Sequence, residues 1–437
     1  MTKTIFAIVV FGALLLAIGA GIPIVISLGA ISFAGVALLT GSLDTALSIL
    51  ASTTYEALRD YVFAVIPLFV LMGEFVARSG AAADLYHSMN RMLRWVPGRL
   101  AVATVLGNAV FAAVVGVSVA SAAAFSRIAY PAMCRHGYDK TVSLGCIAGS
   151  ASLGMLIPPS VLMIVWGVIT QVSIGKLFIA GVLPGLALAT IFALYCIAGA
   201  SLRPAAFGGA GSATQDAPGL TVRELVGTLG SLVLIVLVLG GIWFGWFTPT
   251  EAAGIGALLA LALAVIKGMR WQGILSSISE AGRTSAPILF LLIFAQMYSR
   301  LLAMGGIGSA IQEFVAGVGV SAGMVVAAMV LIWFVLGMFI DSVSIILLTA
   351  PIFAPLAVTL GMDPIAFAIL GILAIEAGIM TPPFGLIVFT VKACIDDRDV
   401  SVGRIFRGTV PYWLMLILMA AAVYFWPGLA TWLPAMY

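Results

Sequence analysis

Twelve apolar stretches follow one another along this chain, at about 4–20, 22–39, 62–78, 101–133, 139–172, 177–201, 226–247, 250–266, 284–303, 320–358, 363–393 and 408–430. Several reach the roughly 20 apolar residues needed to cross a bilayer. Too little polar sequence lies between them to cover a water-facing surface. Charged residues make up 8% of the 437 positions and hydrophobic ones 63%, whereas an average soluble domain carries about a quarter charged residues. Lipid must therefore be the solvent, and the expected fold is an all-α integral membrane protein. Many of the 19 prolines lie in or beside the apolar stretches. At membrane depth that is tolerated where neighbouring protein satisfies the freed backbone groups.

Several function classes drop out. The four cysteines (Cys134, Cys146, Cys196, Cys394) are scattered, with no pair at metal or redox spacing. The two histidines, His87 and His136, fall in polar connections, which argues against haem, zinc and a histidine proton relay. No nucleophile has a base beside it, and the soluble portion is too small for an enzyme. No enzymatic activity, cofactor, metal other than sodium, or nucleic-acid partner is expected. The first apolar stretch runs almost directly into the second, so a cleaved signal is not expected.

The chain divides near its middle. Residues 202–225 are rich in Gly, Ala and Pro and read as a linker. The halves on either side share five landmarks in one order. Ile66-Pro67-Leu68-Phe69 matches Ala286-Pro287-Ile288-Leu289, and Arg78-Ser79-Gly80 matches Met304-Gly305-Gly306. A Gly/Ser motif and a proline follow, at Gly116 to Pro131 and at Gly337 to Pro351. Tyr138-Asp139-Lys140 then matches Met362-Asp363-Pro364, and Leu156-Ile157-Pro158-Pro159 matches Met380-Thr381-Pro382-Pro383. Internal repeats are a hallmark of secondary transporters. The division expected is scaffold helices at 1–61, a first repeat half at 62–201, the linker, scaffold helices at 226–283, and a second repeat half at 284–437.

Charge predicts the topology, because Lys and Arg concentrate on the cytoplasmic side. Arg91, Arg94 and Arg99 precede segment 101–133, and Arg135 and Lys140 follow it. Both of its ends therefore read as inside. Its 33 residues are short for two full crossings, which need about 40, so a re-entrant hairpin is expected. Segment 320–358 has no Lys or Arg near either end and reads as a second hairpin entering from the opposite face. The repeats are then inverted. On this scheme fifteen basic residues lie inside, four outside (Lys3, Arg59, Lys176, Arg300) and Arg127 within the first hairpin. Both termini fall outside.

The segments 139–172 and 363–393 each carry a Pro-Pro pair at mid-length, with Gly154 or Gly378 just before it. Proline removes a backbone donor and clashes with the carbonyl four residues back, so both helices should break. The freed carbonyls need partners: a bound sodium ion is one, and a structural kink buried in protein is the alternative. The hairpin tips carry Gly116-Val117-Ser118-Val119-Ala120-Ser121 and Gly337-Met338-Phe339-Ile340-Asp341-Ser342. Glycine permits the turn. Serine hydroxyls and tip carbonyls suit a small alkali cation, although serine in an apolar helix also back-bonds to its own turn. Asp341 and Glu376 are the notable carboxylates at membrane depth, where such groups are functional hypotheses by default. Each could ligate sodium, carry a proton or stay protonated and structural.

These motifs, with Phe247-Thr248-Pro249-Thr250-Glu251-Ala252-Ala253, Ile174-Gly175-Lys176-Leu177-Phe178-Ile179-Ala180-Gly181 and Thr381-Pro382-Pro383-Phe384-Gly385-Leu386, resemble the large membrane subunit of the tripartite ATP-independent periplasmic (TRAP) transporters over essentially the whole chain. The resemblance implies an elevator-type fold in a bacterial inner membrane and sodium-driven uptake of a small organic anion. It also implies two partners, a small membrane subunit and a periplasmic substrate-binding protein. It places one sodium site at Gly116, Ser118 and Ser121 with Gly154, Ile157 and Pro159, and a second at Gly337, Asp341 and Ser342 with Gly378, Met380 and Thr381. Pro158, Ser160, Pro382 and Pro383 are expected to flank the substrate near the tips. The first tip departs from the family's common Gly-Ser-Ser-Pro-Ala-Thr pattern at Val117, Val119 and Ser121, so its site is expected to rest more on backbone carbonyls. Removal of Asp341 is accordingly expected to cost more sodium affinity than removal of Ser118. The rival reading is a self-sufficient sodium/anion symporter of the related divalent-anion class.

Overall fold

The computed structural model describes residues 3–209 and 221–436. Among these the chain is helical, with one isolated β-bridge between Tyr138 and Phe207. Helices α1 (Lys3–Gly19), α2 (Ile24–Thr40) and α3 (Leu43–Arg59) lead into the first repeat. The repeat then runs α4 (Val65–Ser79), α5 (Ala81–Met92), α6 (Arg99–Val115), α7 (Ser118–Arg135), α8 (Lys140–Ala151), α9 (Val161–Thr170) and α10 (Ile174–Leu202). Helices α11 (Val222–Trp243) and α12 (Pro249–Ile266) follow. The chain continues with α13 (Trp271–Met304), α14 (Ile307–Val318), α15 (Ala322–Gly337), α16 (Ser342–Thr359), α17 (Pro364–Gly378), α18 (Leu386–Cys394) and α19 (Val402–Phe425). Among the described residues, seven helical stretches are long and apolar enough to cross a membrane.

Local sequence explains where the elements stop. The glycines at the second landmark, Gly80 and Gly306, adopt φ of 81° and 63°. That left-handed conformation costs glycine little, and it ends one helix and opens the next. The short helices α5 and α14 begin there, and the apolar segments had not revealed them. A sixth shared landmark also emerges: Pro184 and Pro411 lie at similar depths in α10 and α19, the long helices that follow the broken ones. The expected boundary at 283/284 is not an element boundary, because α13 continues through it without a break. Of the expected linker, residues 210–220 lie outside the described residues. Its first part folds back: Phe207 packs edge-on against Tyr138 at 5.8 Å, and the Asp139 amide donates to the Ala206 carbonyl at 2.9 Å.

The two repeats interlock rather than lie side by side. Helix α9, the far half of the first broken helix, packs on α16 of the second hairpin, and α18 packs on α7 of the first. In lipid there is little hydrophobic drive to bury an apolar group, so close packing and satisfied hydrogen bonds hold helices together. The junction supplies both. Trp166 of α9 meets Trp333 of α15 and Phe367 of α17 at centroid distances of 5.9 and 6.0 Å, and the Trp333 indole donates to Thr349 Oγ1 at 2.8 Å.

Charged groups pair near the ends of several helices. The Lys140 ammonium lies 2.7 Å from Asp397 Oδ2, Tyr130 donates to the same oxygen at 2.6 Å, and Lys392 donates to the Asp397 carbonyl at 2.9 Å. The Lys140 ammonium, and after it the Tyr130 hydroxyl, hold the Asp397 carboxyl down at about 2. Lys267 pairs with Asp84, Arg223 donates to the Lys267 carbonyl at 3.3 Å, and Arg78 reaches Ser276 at 2.8 Å. Arg300, assigned to the other face, pairs with Glu56.

Candidate functional site

The two hairpins end in different turns. In the first, α6 stops at Val115 and α7 starts at Ser118, so only Gly116 and Val117 make the turn. In the second, residues 338–341 separate α15 from α16. Ser118 and Ser342 are therefore structural equivalents, each the first residue of its hairpin's second leg. Counting from the tip glycines would pair Ser342 with Ser121 instead.

Each tip lies against a break in a neighbouring helix. The first break unwinds α8 through a short 3-10 turn at Ser152–Met155 and an irregular run before α9. The second unwinds between Gly378 and Leu386. The Pro158–Pro159 and Pro382–Pro383 peptide bonds are both cis. Gly116, at φ 67°, leaves no room for a Cβ against the Pro159 carbonyl oxygen, and its own carbonyl accepts from the Val161 amide at 3.2 Å. A Cβ on Gly154 would lie 2.9 Å from the Ser118 nitrogen. The second junction repeats the contact: a Cβ on Gly337 would lie 2.8 Å from the Gly378 Cα, and the Phe384 amide donates to the Met338 carbonyl at 3.2 Å. Glycine is needed at these four positions because backbone meets backbone there.

One side chain joins the two junctions. Glu376, two residues before the second break and 1% exposed, accepts from Ser118 Oγ at 2.6 Å and from Ser342 Oγ at 3.2 Å. Ser118 and Ser342 are 1% and 5% exposed. The sequence places these serines in separate candidate sites and Glu376 among the carboxylates at membrane depth, without linking them. Nothing local marks the link: 258 positions separate Ser118 from Glu376. The usable signal was that each serine opens a helix after a tip.

The other expected residues fall as follows. Ser121 is fully buried, and its hydroxyl has no partner among the described residues. Ile157 packs its side chain against Gly185. Asp341 is exposed and caps α16, accepting from the Ser344 amide at 3.0 Å. Thr381 donates to the Gly378 carbonyl at 2.6 Å, and the Met380 carbonyl accepts from Thr409 at 3.1 Å. Ser160 caps α9, accepting from the Met163 amide at 3.4 Å and donating to the Met155 carbonyl at 2.5 Å. Pro158 and Pro159 are buried, whereas Pro382 and Pro383 are exposed.

The site is thus an assembly of oxygen atoms: hydroxyls, carbonyls and one carboxylate. Such hard donors suit an alkali cation. The orphaned, fully buried Ser121 hydroxyl is an observation in favour, because a buried polar atom without a partner carries a cost that a bound ion would remove.

Comparison with known proteins agrees with this architecture. The chain is 34% identical over 393 residues to the C4-dicarboxylate TRAP transporter large permease protein DctM of Pseudomonas aeruginosa, covering 88% of this chain and 89% of that protein. It is 32% identical over 432 residues to the ectoine TRAP transporter large permease protein TeaC of Halomonas elongata, covering 98% of each. Among solved structures, the Alcanivorax borkumensis YdaH transporter, described as having an unusual topology, superposes with a TM-score of 0.65 at 15% identity over 90% of each chain. That likeness speaks to the fold alone. The sequence model of the tripartite ATP-independent periplasmic transporter DctM component matches residues 9–429, so the chain belongs to the family of TRAP transporter large permeases and is a membrane transport protein rather than an enzyme.

Proposed function

We propose that this chain is the permease of a sodium-coupled tripartite importer in a bacterial inner membrane, taking up a small organic acid that a periplasmic binding protein delivers. The observation that carries the reading is the pair of tip-against-break junctions that meet at Glu376. Two sodium sites are assigned there. The first uses Gly116, Ser118 and Ser121 with Gly154, Ile157 and Pro159. The second uses Gly337, Asp341 and Ser342 with Gly378, Met380 and Thr381. Pro158, Ser160, Pro382 and Pro383 border the substrate.

The lengths of the hairpins' first legs support re-entrant hairpins. The 17 residues of α6 and the 16 of α15 span about 25 Å at 1.5 Å per residue, less than the roughly 30 Å hydrocarbon core. The grouping of Lys140 with Lys392, and of Arg78, Arg223 and Lys267 near one another, supports a shared cytoplasmic face. Both termini then face the periplasm. The hairpins and broken helices within 62–201 and 284–437 form the moving body of an elevator, and the helices in 1–61 and 226–283, with α13 running on unbroken to Met304, form its scaffold. The substrates named for relatives, C4-dicarboxylates, ectoine and isethionate, are small and each carries a carboxylate or sulfonate group, which favours a small organic acid here. Family membership favours the tripartite arrangement, with a small membrane subunit, over a self-sufficient symporter.

Reconstitution tests this. Permease, small subunit and loaded cognate binding protein in proteoliposomes should accumulate substrate under an inward sodium gradient. Accumulation should fail under a proton gradient alone, and the permease by itself should show negligible uptake. Uptake driven by protons without sodium would overturn the coupling, and robust uptake by the single chain would favour the rival symporter.

A further inference from the structure

Only one of the two repeats contributes a carboxylate to the junctions. Aligned on the Pro-Pro pairs, Glu376 corresponds to Ser152, whose hydroxyl back-bonds to the Gly149 carbonyl of its own helix at 2.7 Å. Glu376 therefore serves both tips. No lysine or arginine forms an ion pair with it among the described residues. Its partners are instead two hydroxyls, each on the first residue of a helix. A helix amino end carries roughly half a positive charge, so two of them can hold a carboxylate without a basic residue.

A hydroxyl has one hydrogen and two acceptor lone pairs. When Glu376 takes the hydrogen of Ser118 and that of Ser342, both oxygens are left with their lone pairs free for a cation. A hydrogen bond to a carboxylate also makes each oxygen a better electron donor, since hydrogen bonds in a chain polarise one another. An ion that fixes one serine also fixes the shared carboxylate, so the second ion meets a serine already held in place and pays less to order it.

We propose that Glu376 is a positioning residue shared by the two candidate sodium sites: its carboxylate orients the Ser118 and Ser342 hydroxyls toward the ions and makes the sites bind sodium cooperatively. The proposal rests on the sodium-coupled reading above. The plainer alternative is a structural pin between the repeats, which would govern stability but not the shape of a sodium titration.

Equilibrium binding of radioactive sodium to the purified permease–small-subunit complex separates them. The wild type should titrate with a Hill coefficient above one. Glu376→Gln keeps the shape and one acceptor oxygen but loses the charge; its Hill coefficient should fall to one and its midpoint rise about tenfold or more, the loss of a charge-assisted hydrogen bond. Glu376→Asp keeps the charge on a shorter arm and should lie between the two. In the wild-type background, Ser118→Ala and Ser342→Ala should each raise the midpoint, and the double variant should fall well short of the product of the two effects. Multiplicative single effects, or a Glu376→Gln titration identical to wild type, would overturn the proposal. If Glu376→Gln does not fold, the two serine variants and their double decide alone. Failure of the wild type to bind sodium would overturn the sodium reading itself, whereas binding without coupling overturns only this inference.

Discussion

The first and second junctions share a backbone plan and differ in chemistry. In the first, the run from Ala151 to Ser160 is entirely buried, the turn is two residues long, and Val117 offers no side-chain cap to α7. In the second, Pro382, Pro383 and Phe384 are exposed, the turn is four residues long, and Asp341 caps α16. The carboxylate that both tips use belongs to the second alone. Repetition in this chain therefore preserved the framework of tip, glycine contact and broken helix. The charge was placed once, where both halves can reach it.

The largest effect expected concerns that shared framework. Gly116→Ala forces an L-residue into the left-handed region, at roughly 1–2 kcal/mol, and drives its Cβ into the Pro159 carbonyl. Gly337→Ala meets backbone too, 2.8 Å from the Gly378 Cα, but from ordinary helical geometry. Uptake should be nearly abolished in Gly116→Ala and strongly reduced in Gly337→Ala, with thermal stability falling in the same order. Equal tolerance of alanine at both positions would break the account of tight backbone junctions.

A smaller effect sharpens the difference in chemistry. Ser118→Ala removes a buried hydrogen bond to a carboxylate, a contact worth about 1.5–3 kcal/mol. Asp341→Ala removes an exposed helix cap, worth about 1 kcal/mol. The geometry thus reverses the order expected from residue type: sodium affinity measured by titration of uptake should fall further in Ser118→Ala. A greater loss in Asp341→Ala would show that its charge contributes more to the second ion than the buried serine does to the first.

That reversal marks what could be read from the sequence. Apolar spacing, the paired Pro-Pro breaks and the Gly-rich tips revealed the helical membrane fold and the elements that meet. Basic residues grouped Lys140 with Lys392, and the structure brings both to Asp397. The short helices α5 and α14 stayed hidden because neither is an apolar run of membrane length. The convergence on Glu376 stayed hidden for a different reason. It depends on where each hairpin's second leg begins: the second turn is two residues longer and Gly337 still belongs to its helix, so the serine register shifts by three between halves. Asp341 stands out in the sequence because it lies in the tip motif; that one of its oxygens also caps its own helix is visible only in the structure.

The most direct test is a density map of the complete transporter in sodium, at a resolution that shows bound ions and the Glu376 side chain. The account predicts one ion at each junction, the first among residues 116–121 and 154–159 and the second among residues 337–342 and 378–381. Ser118 and Ser342 should each stand between an ion and the carboxylate. Well-ordered tips without ions in saturating sodium, or a Glu376 carboxylate turned away from both serines, would contradict it.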